Sequence, residues 1–252
     1  MTSIPKIALI TGAGSGIGQA CATGLLRAGW AVVFTGRRVD ALNAAIAAAG
    51  DDGKRGVAMA ADVGQEAQVA ALFAQIRQRF GRLDLLFNNA GMGLPVDTPD
   101  AVSGEDWRRV VDVNLNGTFY CLSHAFKLMK EQSPQGGRII NNGSISAYAP
   151  RPGSIAYTAT KHAVSGLTKT ASLDGRPFDI AVGQIDIGNA ASEMTARMVN
   201  GVPQADGSVK PEPRMDLSAV VDTFMAMAGL PLSANILFAT VMATKMPFVG
   251  RG

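Results

Sequence analysis

The stretch "TGAGSGIG" (residues 11–18) joins the first apolar run of the chain, "KIALI" (residues 6–10), to a helix-like segment that begins near Gly16. A strand, a glycine turn and a helix in this order point backbone N–H groups and the positive end of a helix dipole at one place, where an anion is stabilised. Glycine has no Cβ, so the backbone can approach a pyrophosphate closely. The G-x-x-x-G-x-G spacing of Gly12, Gly16 and Gly18 differs from the G-x-G-x-x-G fingerprint of dinucleotide sites. A purely structural turn therefore stays open on this motif alone.

Beyond this turn, apolar runs of strand length alternate with longer segments of helical periodicity, such as residues 65–81. Continuous apolar strands separated by helices indicate a parallel sheet that is covered on both faces. Right-handed crossovers then give a doubly wound α/β fold, with ligands beyond the carboxyl ends of the strands. We predict a single-domain Rossmann fold with a seven-stranded parallel sheet and helices on both faces. The strand candidates are "KIALIT" (6–11), "AVVFTG" (31–36), "GVAMAAD" (56–62), "LDLLFNNA" (83–90), "GRIINNGS" (137–144), "IAVGQIDI" (180–187) and "NILFATVM" (235–242).

One segment, residues 188–215, breaks the alternation and is rich in Pro, Gly and Met. Long irregular segments inside a compact domain are commonly functional covers. We predict that it forms a substrate lid. Its methionines Met194, Met198 and Met215 either line a pliable apolar pocket or pack as ordinary core residues.

Composition excludes several classes of protein. The 252 residues carry a net charge of only +3, and no dense Lys/Arg run is present, so no nucleic-acid partner is expected. "MTSIP" has no apolar signal core, and the longest apolar stretch, residues 234–244, is too short to span a membrane and is predicted to be a buried strand. We therefore predict a cytoplasmic protein with no membrane partner. Cys21 and Cys121 fit structural thiols, and two histidines without clustered carboxylates or cysteines predict no metal site.

The second strand candidate ends "FTGRR", with Arg37 and Arg38 after Gly36. In a doubly wound fold, an acidic residue at this strand end accepts hydrogen bonds from the ribose 2′-hydroxyl of NAD. Guanidinium groups instead bind a 2′-phosphate through charge-assisted hydrogen bonds. The alternative is two solvated arginines at the start of a helix. We predict that NADP(H) is preferred, with NAD(H) as the other cofactor of the same class.

Tyr157 and Lys161 are four residues apart in "AYTATKHAVSG" and share one face of a predicted helix. A nearby ammonium stabilises a phenolate, and an opposite charge within reach moves a pKa by roughly 1–3 units. Such a pair could donate a proton to a carbonyl oxygen or remove one from an alcohol. Ser144 lies just beyond a strand end, where its hydroxyl could bind the reacting carbonyl. Taken singly, the pair could be structural and Ser144 a helix cap.

Together these motifs resemble the short-chain dehydrogenase/reductase family over nearly the whole chain. "TGAGSGIG" is similar to its cofactor glycine motif, "NNAG" (residues 88–91) to its mark after the fourth strand, and Tyr157-x-x-x-Lys161 to its catalytic pair. Asn114 in "VDVNLNG" matches the helix asparagine of the family. The resemblance implies that Tyr157 is the general acid/base and that Ser144 orients the carbonyl. It also implies that Lys161 lowers the tyrosine pKa and binds the nicotinamide ribose, while Asn114 supports a water-linked proton relay.

The resemblance also implies the cofactor contacts. Asp62 and Val63 would contact the adenine, Asn89 and Ala90 would lie near the adenosine ribose, and Gly91 would leave the nicotinamide side uncrowded. The implied cofactor-binding residues are Gly12, Ser15, Gly16, Ile17, Gly18, Arg37, Arg38, Asp62, Val63, Asn89, Ala90, Gly91, Tyr157, Lys161, Gly188 and Ser192. One departure is Ile187, where the family commonly has proline before Gly188; Ser192 stands where threonine is usual. The missing proline loosens the turn into the lid.

The expected function is hydride transfer between NADP(H) and a carbonyl or secondary alcohol, with a small-molecule substrate. A 3-oxoacyl-[acyl-carrier-protein] reductase is the alternative among enzymes, and a dinucleotide-sensing module without chemistry is the alternative from another class. Specificity is expected near residues 93–98, 147–153 and 189–215, where Arg151 either attracts a substrate carboxylate or faces water. The long helices between Gly104 and Lys130 and between Ile155 and Leu173 resemble those through which members of the family associate. A homotetramer or a homodimer is therefore expected.

Overall fold

A parallel sheet of seven strands forms the centre of the computed structural model, which describes residues 5–94 and 98–249 without the side chains of Glu193, Met194 and Arg197. The strand order is β3-β2-β1-β4-β5-β6-β9, so the order reverses between β1 and β4. The prediction of a doubly wound parallel sheet is confirmed. The strands are β1 (Ile7–Thr11), β2 (Ala31–Gly36), β3 (Gly56–Ala60), β4 (Leu85–Asn88), β5 (Gly137–Asn142), β6 (Ile180–Ile187) and β9 (Phe238–Val241).

Helices cover both faces of this sheet because neighbouring strand residues point in opposite directions. In β1, Ile7 and Leu9 pack in one apolar cluster with α3, α5 and α6, whereas Ala8 and Ile10 pack in another with α1, α2 and α7. Apolar side chains of one strand therefore serve both faces of the sheet, as the sequence predicts. The α-helices are α1 (Gly16–Arg27), α2 (Val39–Ala47), α3 (Glu66–Phe80), α4 (Gly104–Val111), α5 (Gly117–Glu131), α6 (Ile155–Asp174) and α7 (Leu217–Gly229).

The last strand differs from the prediction. The apolar stretch 234–244 contains β9, as expected, but the side chains of β9 are partly exposed rather than buried. This strand lies at the sheet edge and pairs only with β6, so one of its sides has no strand neighbour. In the described part of the chain, no helix has both the length and the apolar character that crossing a membrane requires.

The 188–215 segment is tied together at its base. Met215 N–H donates to the Asn189 carbonyl at 2.8 Å, and Ala191 N–H donates to the Met215 carbonyl at 2.9 Å. Inside the segment, a short antiparallel pair, β7 (Val202–Pro203) and β8 (Val209–Lys210), forms a hairpin that the sequence did not predict. Ile187, at the position of the family's proline, stays in β6 and pairs with Val241. The strand therefore continues to the base of this segment.

Candidate active site

The predicted site residues converge at the carboxyl ends of β1, β4 and β5, where the strand order reverses. Ligands of open α/β sheets bind at such a point. All of them except Gly18 and Asn114 line one cavity of about 660 Å³. Gly18 lies beneath the glycine turn, and Asn114 lies beneath Met92, which is itself part of the cavity wall.

Tyr157 lies in the first turn of α6 and lines the cavity opposite Ser144. Burial raises the pKa of the Tyr157 phenol, whereas a hydrogen bond with Ser144 and the positive charge of Arg151 oppose this rise. The protein's own groups together therefore raise the pKa of Tyr157, whereas the Tyr-Lys spacing led us to expect a lowered pKa. The Lys161 ammonium lies 5.5 Å from the centroid of the tyrosine ring.

Ser144 caps a short turn and also lines the cavity. Its Oγ accepts a hydrogen bond from the Ser146 N–H at 3.1 Å, so it caps the short 3₁₀ turn of residues 145–147. The same hydroxyl lies at the cavity wall and bonds to Tyr157. A capped turn holds the hydroxyl in a fixed position, which a residue that orients a carbonyl requires.

Lys161 lies one helical turn after Tyr157 and is buried. Its Nζ donates to the Asn142 carbonyl at 2.6 Å, just before the glycine that precedes Ser144. Burial lowers the pKa of Lys161 to about 8, and the charge of Asp186 opposes the fall. The lysine is therefore positioned by β5 as well as by its own helix.

Asn114 lies in a π-helical turn, Asp112–Asn116, that joins α4 to α5. Its Oδ1 accepts from the Met92 N–H at 2.8 Å, and its Nδ2 donates to the Met92 carbonyl at 2.9 Å. The Asn114 amide also reaches Thr160 at 3.2 Å. Asn114 thus connects the segment after β4 to α6. Single-turn π-helices are frequent at functional sites, but the sequence carries no signal for this one.

The glycine turn has the shape of a phosphate cradle. Gly12 adopts a positive φ of 65°, and a Cβ on Gly18 would lie 2.3 Å from the Gly12 carbonyl oxygen. Asn89 holds the turn from the side, since its Nδ2 donates to the Thr11 carbonyl at 2.9 Å. The glycine turn and the amino end of α1 line the cavity, and the residues present fit a dinucleotide pyrophosphate.

The part of the cavity where the adenosine is expected is formed by the ends of β2 and β3. Arg37 and Arg38 are exposed and line the wall beside Gly36. Asp62 and Val63 follow β3; the Asp62 carboxylate accepts from the Gly64 N–H at 3.0 Å and so shapes its own turn. No acidic side chain occupies the end of β2, which is the position that decides between a ribose hydroxyl and a phosphate.

The 188–215 segment forms another part of the cavity wall. Its Ser192 caps a 3₁₀ helix, Glu193–Asn200, and a Cβ on Gly16 would lie 3.5 Å from the Ser192 Cβ. Gly188 and Ser192 both line the cavity, as does Met198. The Met194 side chain and residues 95–97, for which specificity roles are predicted, lie outside the described part.

Arg151 neither points into water nor stands free for a substrate. Its guanidinium pairs with Glu212, which is buried, and donates to Asn189 Oδ1 at 2.8 Å. Asn189 Nδ2 and Gln204 Nε2 also donate to Glu212, at 2.8 and 3.0 Å. Burial raises the pKa of Glu212, but these hydrogen bonds and the charge of Arg151 outweigh it and hold the pKa below its usual value. This cluster fastens the 188–215 segment to the loop before α6.

Among residues 5–94 and 98–249, the structure brings together no group of three His, Cys, Asp or Glu side chains that could hold an ion. Cys21 and Cys121 are buried free thiols whose pKa burial raises.

Comparison with known proteins shows the family of this chain. A family model described as short chain dehydrogenase matches residues 6–202. A 3beta-hydroxysteroid dehydrogenase from Mediterraneibacter gnavus is 42% identical over 169 residues, which are 67% of this chain but only 60% of that relative's length.

Two solved structures show the same fold. A 3-ketoacyl-(acyl-carrier-protein) reductase from Brucella melitensis, complexed with NADH, has a TM-score of 0.83 and 26% identity, covering 95% of this chain and 98% of its own. The closed form of a serine dehydrogenase, complexed with NADP+, has a TM-score of 0.84 and 26% identity over 97% of both chains. From the family match and the fold together, the chain belongs to the short-chain dehydrogenase/reductase family of oxidoreductases.

Proposed function

We propose that the protein is an NADP(H)-dependent oxidoreductase that transfers hydride between the nicotinamide and a carbonyl or secondary alcohol. The observation that carries this proposal is the arrangement of one cavity, with Tyr157, Ser144 and Lys161 at one end and the arginines after β2 at the other. The dinucleotide, when bound, supplies or accepts the hydride. A module that only binds the dinucleotide would not need a buried lysine and a phenol that line the same cavity.

The chain's own residues then divide the remaining work. Tyr157 exchanges a proton with the substrate oxygen, and Ser144 holds that oxygen by a hydrogen bond. Lys161 supplies positive charge beside the phenol and binds the nicotinamide ribose. Asn114 keeps the Met92 backbone in place and supports a water-linked proton relay to Lys161.

The substrate is proposed to be uncharged near the reacting carbon. Arg151 is the cationic side chain of the described cavity wall nearest the lid, and its charge is balanced by Glu212. A substrate carboxylate would have to compete with this buried pair.

Steady-state oxidation of NADPH with a panel of neutral ketones, aldehydes and 3-oxoacyl thioesters tests the function. Turnover of ketones supports the proposal, thioester preference would favour the acyl-carrier-protein reductase, and no turnover with any of them would contradict both.

Arg37→Ala and Arg38→Ala are expected to weaken NADPH binding about 10- to 100-fold each and to leave NADH binding unchanged. A hydrogen bond to a charged group contributes about 1.5–3 kcal/mol, and the 2′-phosphate is the part that NADH lacks. Fluorescence titration with both cofactors measures the two dissociation constants. Arg27→Ala, an exposed arginine at the end of α1, is the control for the loss of one charge. Equal weakening for NADPH and NADH would show that the arginines do not contact the phosphate.

The protein is further proposed to form a homotetramer or homodimer through α5 and α6. Phe119 on α5 is 47% exposed and Leu173 on α6 is 55% exposed. A groove between the two helices has an apolar part, formed by Leu122, Phe126 and Ala171, beside the charged residues Lys127, Lys130, Glu131 and Asp174. Apolar surface of this kind is typical of an association face. Light scattering is expected to give two or four times the 26.1 kDa chain mass. A single-chain mass at micromolar concentration would contradict this association.

A further inference from the structure

Asp186 is a buried carboxylate beneath the site, and the sequence analysis assigns it no role. It lies near the carboxyl end of β6, between β5 and β9, and is 0% exposed. A charged group in this position needs hydrogen-bond partners, because an unpaired buried charge is strongly destabilising. The hydrogen-bond donors to Asp186 are the groups that its carboxylate positions.

Three donors converge on this carboxylate. Oδ1 accepts from the Ser144 N–H at 2.9 Å and from Gln184 Nε2 at 2.7 Å, and Oδ2 accepts from the Tyr148 hydroxyl at 2.9 Å. The residue before Ser144 is Gly143, where a Cβ would lie 2.0 Å from Asp186 Oδ1. The strand end that carries Ser144 is therefore shaped to let this carboxylate reach the Ser144 backbone.

A line of buried polar side chains fixes Asp186 from below. Gln184 Oε1 accepts from Thr168 Oγ1 at 3.0 Å, and Thr168 Oγ1 accepts from Asn141 Nδ2 at 2.9 Å. Asn141 Oδ1 in turn accepts from Asn88 Nδ2 at 3.0 Å. These bonds connect β4, β5, α6 and β6, so the carboxylate has little freedom to move.

The charge of Asp186 acts on the two titrating groups of the catalytic helix. It opposes the burial that lowers the pKa of Lys161, and it adds to the burial that raises the pKa of Tyr157. Burial raises the pKa of Asp186 itself, while its three donors and Lys161 oppose that rise. The other titratable groups around this centre are Tyr148, whose pKa burial and Asp186 raise to about 12, and the paired Arg151 and Glu212.

We propose that Asp186 is a positioning residue for proton transfer: it holds Ser144 through the backbone amide and supplies the negative charge that balances Lys161. The proposal rests on the proposed function, because it assigns Asp186 to the same proton-transfer step. It separates two contributions, a geometric one through Ser144 and an electrostatic one through Lys161 and Tyr157.

The electrostatic contribution has a definite sign. Carbonyl reduction requires Tyr157 with its proton and Lys161 as an ammonium. A negative charge raises the pKa of a phenol and of an ammonium alike, so its removal lowers both. The coupled pair then loses its protons at lower pH, whichever group titrates first.

Asp186→Asn removes the charge and retains the shape and the acceptor for the Ser144 amide. The alkaline limb of the pH profile of kcat for carbonyl reduction is expected to move about one unit toward lower pH. Tyr148→Phe is the matched control: it removes one donor and leaves the charge, so its alkaline limb is expected to stay in place. Asp186→Ser serves as a second neutral variant if the asparagine variant does not fold. An unmoved limb in the neutral variant, or an equal shift in Tyr148→Phe, would overturn the proposal.

A titration without turnover separates this proposal from the proposed function. The chain has three tyrosines, so in the Tyr120→Phe, Tyr148→Phe double variant the phenolate absorbance near 295 nm belongs to Tyr157. Adding Asp186→Asn is expected to lower the midpoint of this absorbance change. An unchanged midpoint would contradict the electrostatic role even if the enzyme turned over none of the tested substrates. Absence of NADPH-dependent turnover in the parent protein would contradict the proposed function alone.

Discussion

Tyr157→Phe is expected to lower kcat about 10²- to 10⁴-fold, which is the contribution of positioned general acid–base catalysis. The substitution removes one hydroxyl from a side chain that lines the cavity and bonds to Ser144. The ring remains to pack as before, and the glycine turn and Arg37 are untouched. The dissociation constant for NADPH is therefore expected to stay within a few-fold of the parent value.

Steady-state kinetics and fluorescence titration on the same preparation measure both quantities. Tyr120→Phe is the matched control, since Tyr120, on α5, is partly buried against the apolar cluster that contains Ile7 and Leu9 and lies outside the cavity wall. It is expected to retain full activity. Full activity in Tyr157→Phe would remove the tyrosine from the mechanism, and a parallel loss of NADPH binding would assign it to cofactor binding instead.

Gly18→Ala is expected to weaken NADPH binding about 10- to 100-fold, because overpacking of this kind costs about 1–3 kcal/mol. An added Cβ would lie 2.3 Å from the Gly12 carbonyl oxygen and 2.5 Å from Asn89 Nδ2, so the glycine turn must move. Gly18 lies inside α1, where alanine is the better helix former. Any loss therefore comes from the clash beneath the cradle and not from helix propensity.

Gly229→Ala is the matched control for this substitution. Gly229 is the last residue of α7, and a Cβ there meets nothing within 4 Å. This variant is expected to bind NADPH like the parent and to melt at the same or a slightly higher temperature. Unchanged NADPH affinity in Gly18→Ala would contradict the assignment of the glycine turn to the pyrophosphate.

The fold was predictable because its five central strands are buried on both faces. Each of the seven strands lies within the apolar run predicted for it, and α1 begins at Gly16 as expected. The exposure of β9 was not predictable, since an edge strand and a central strand can have the same apolar composition. The hairpin of β7 and β8 was missed because each of its strands has only two residues.

The candidate site was predictable where a motif places residues close together along the chain. Tyr157 and Lys161 are four residues apart on one helix, and the glycines lie in one turn. The contact of Arg151 with Glu212 spans 61 residues and has no local signal. Asp186 did carry a signal, namely an acidic residue inside a strand, Ile180–Ile187, that is mostly apolar and buried throughout.

The central claim is hydride transfer, and isotope transfer tests it most directly. NADPH carrying deuterium at the nicotinamide C4, prepared separately on each face of the ring, is incubated with the protein and a neutral ketone. Mass spectrometry of the product alcohol is expected to find one deuterium on the carbinol carbon from one of the two labelled cofactors, and none when Tyr157→Phe replaces the parent protein. Product alcohol that carries no deuterium from either cofactor would contradict the account.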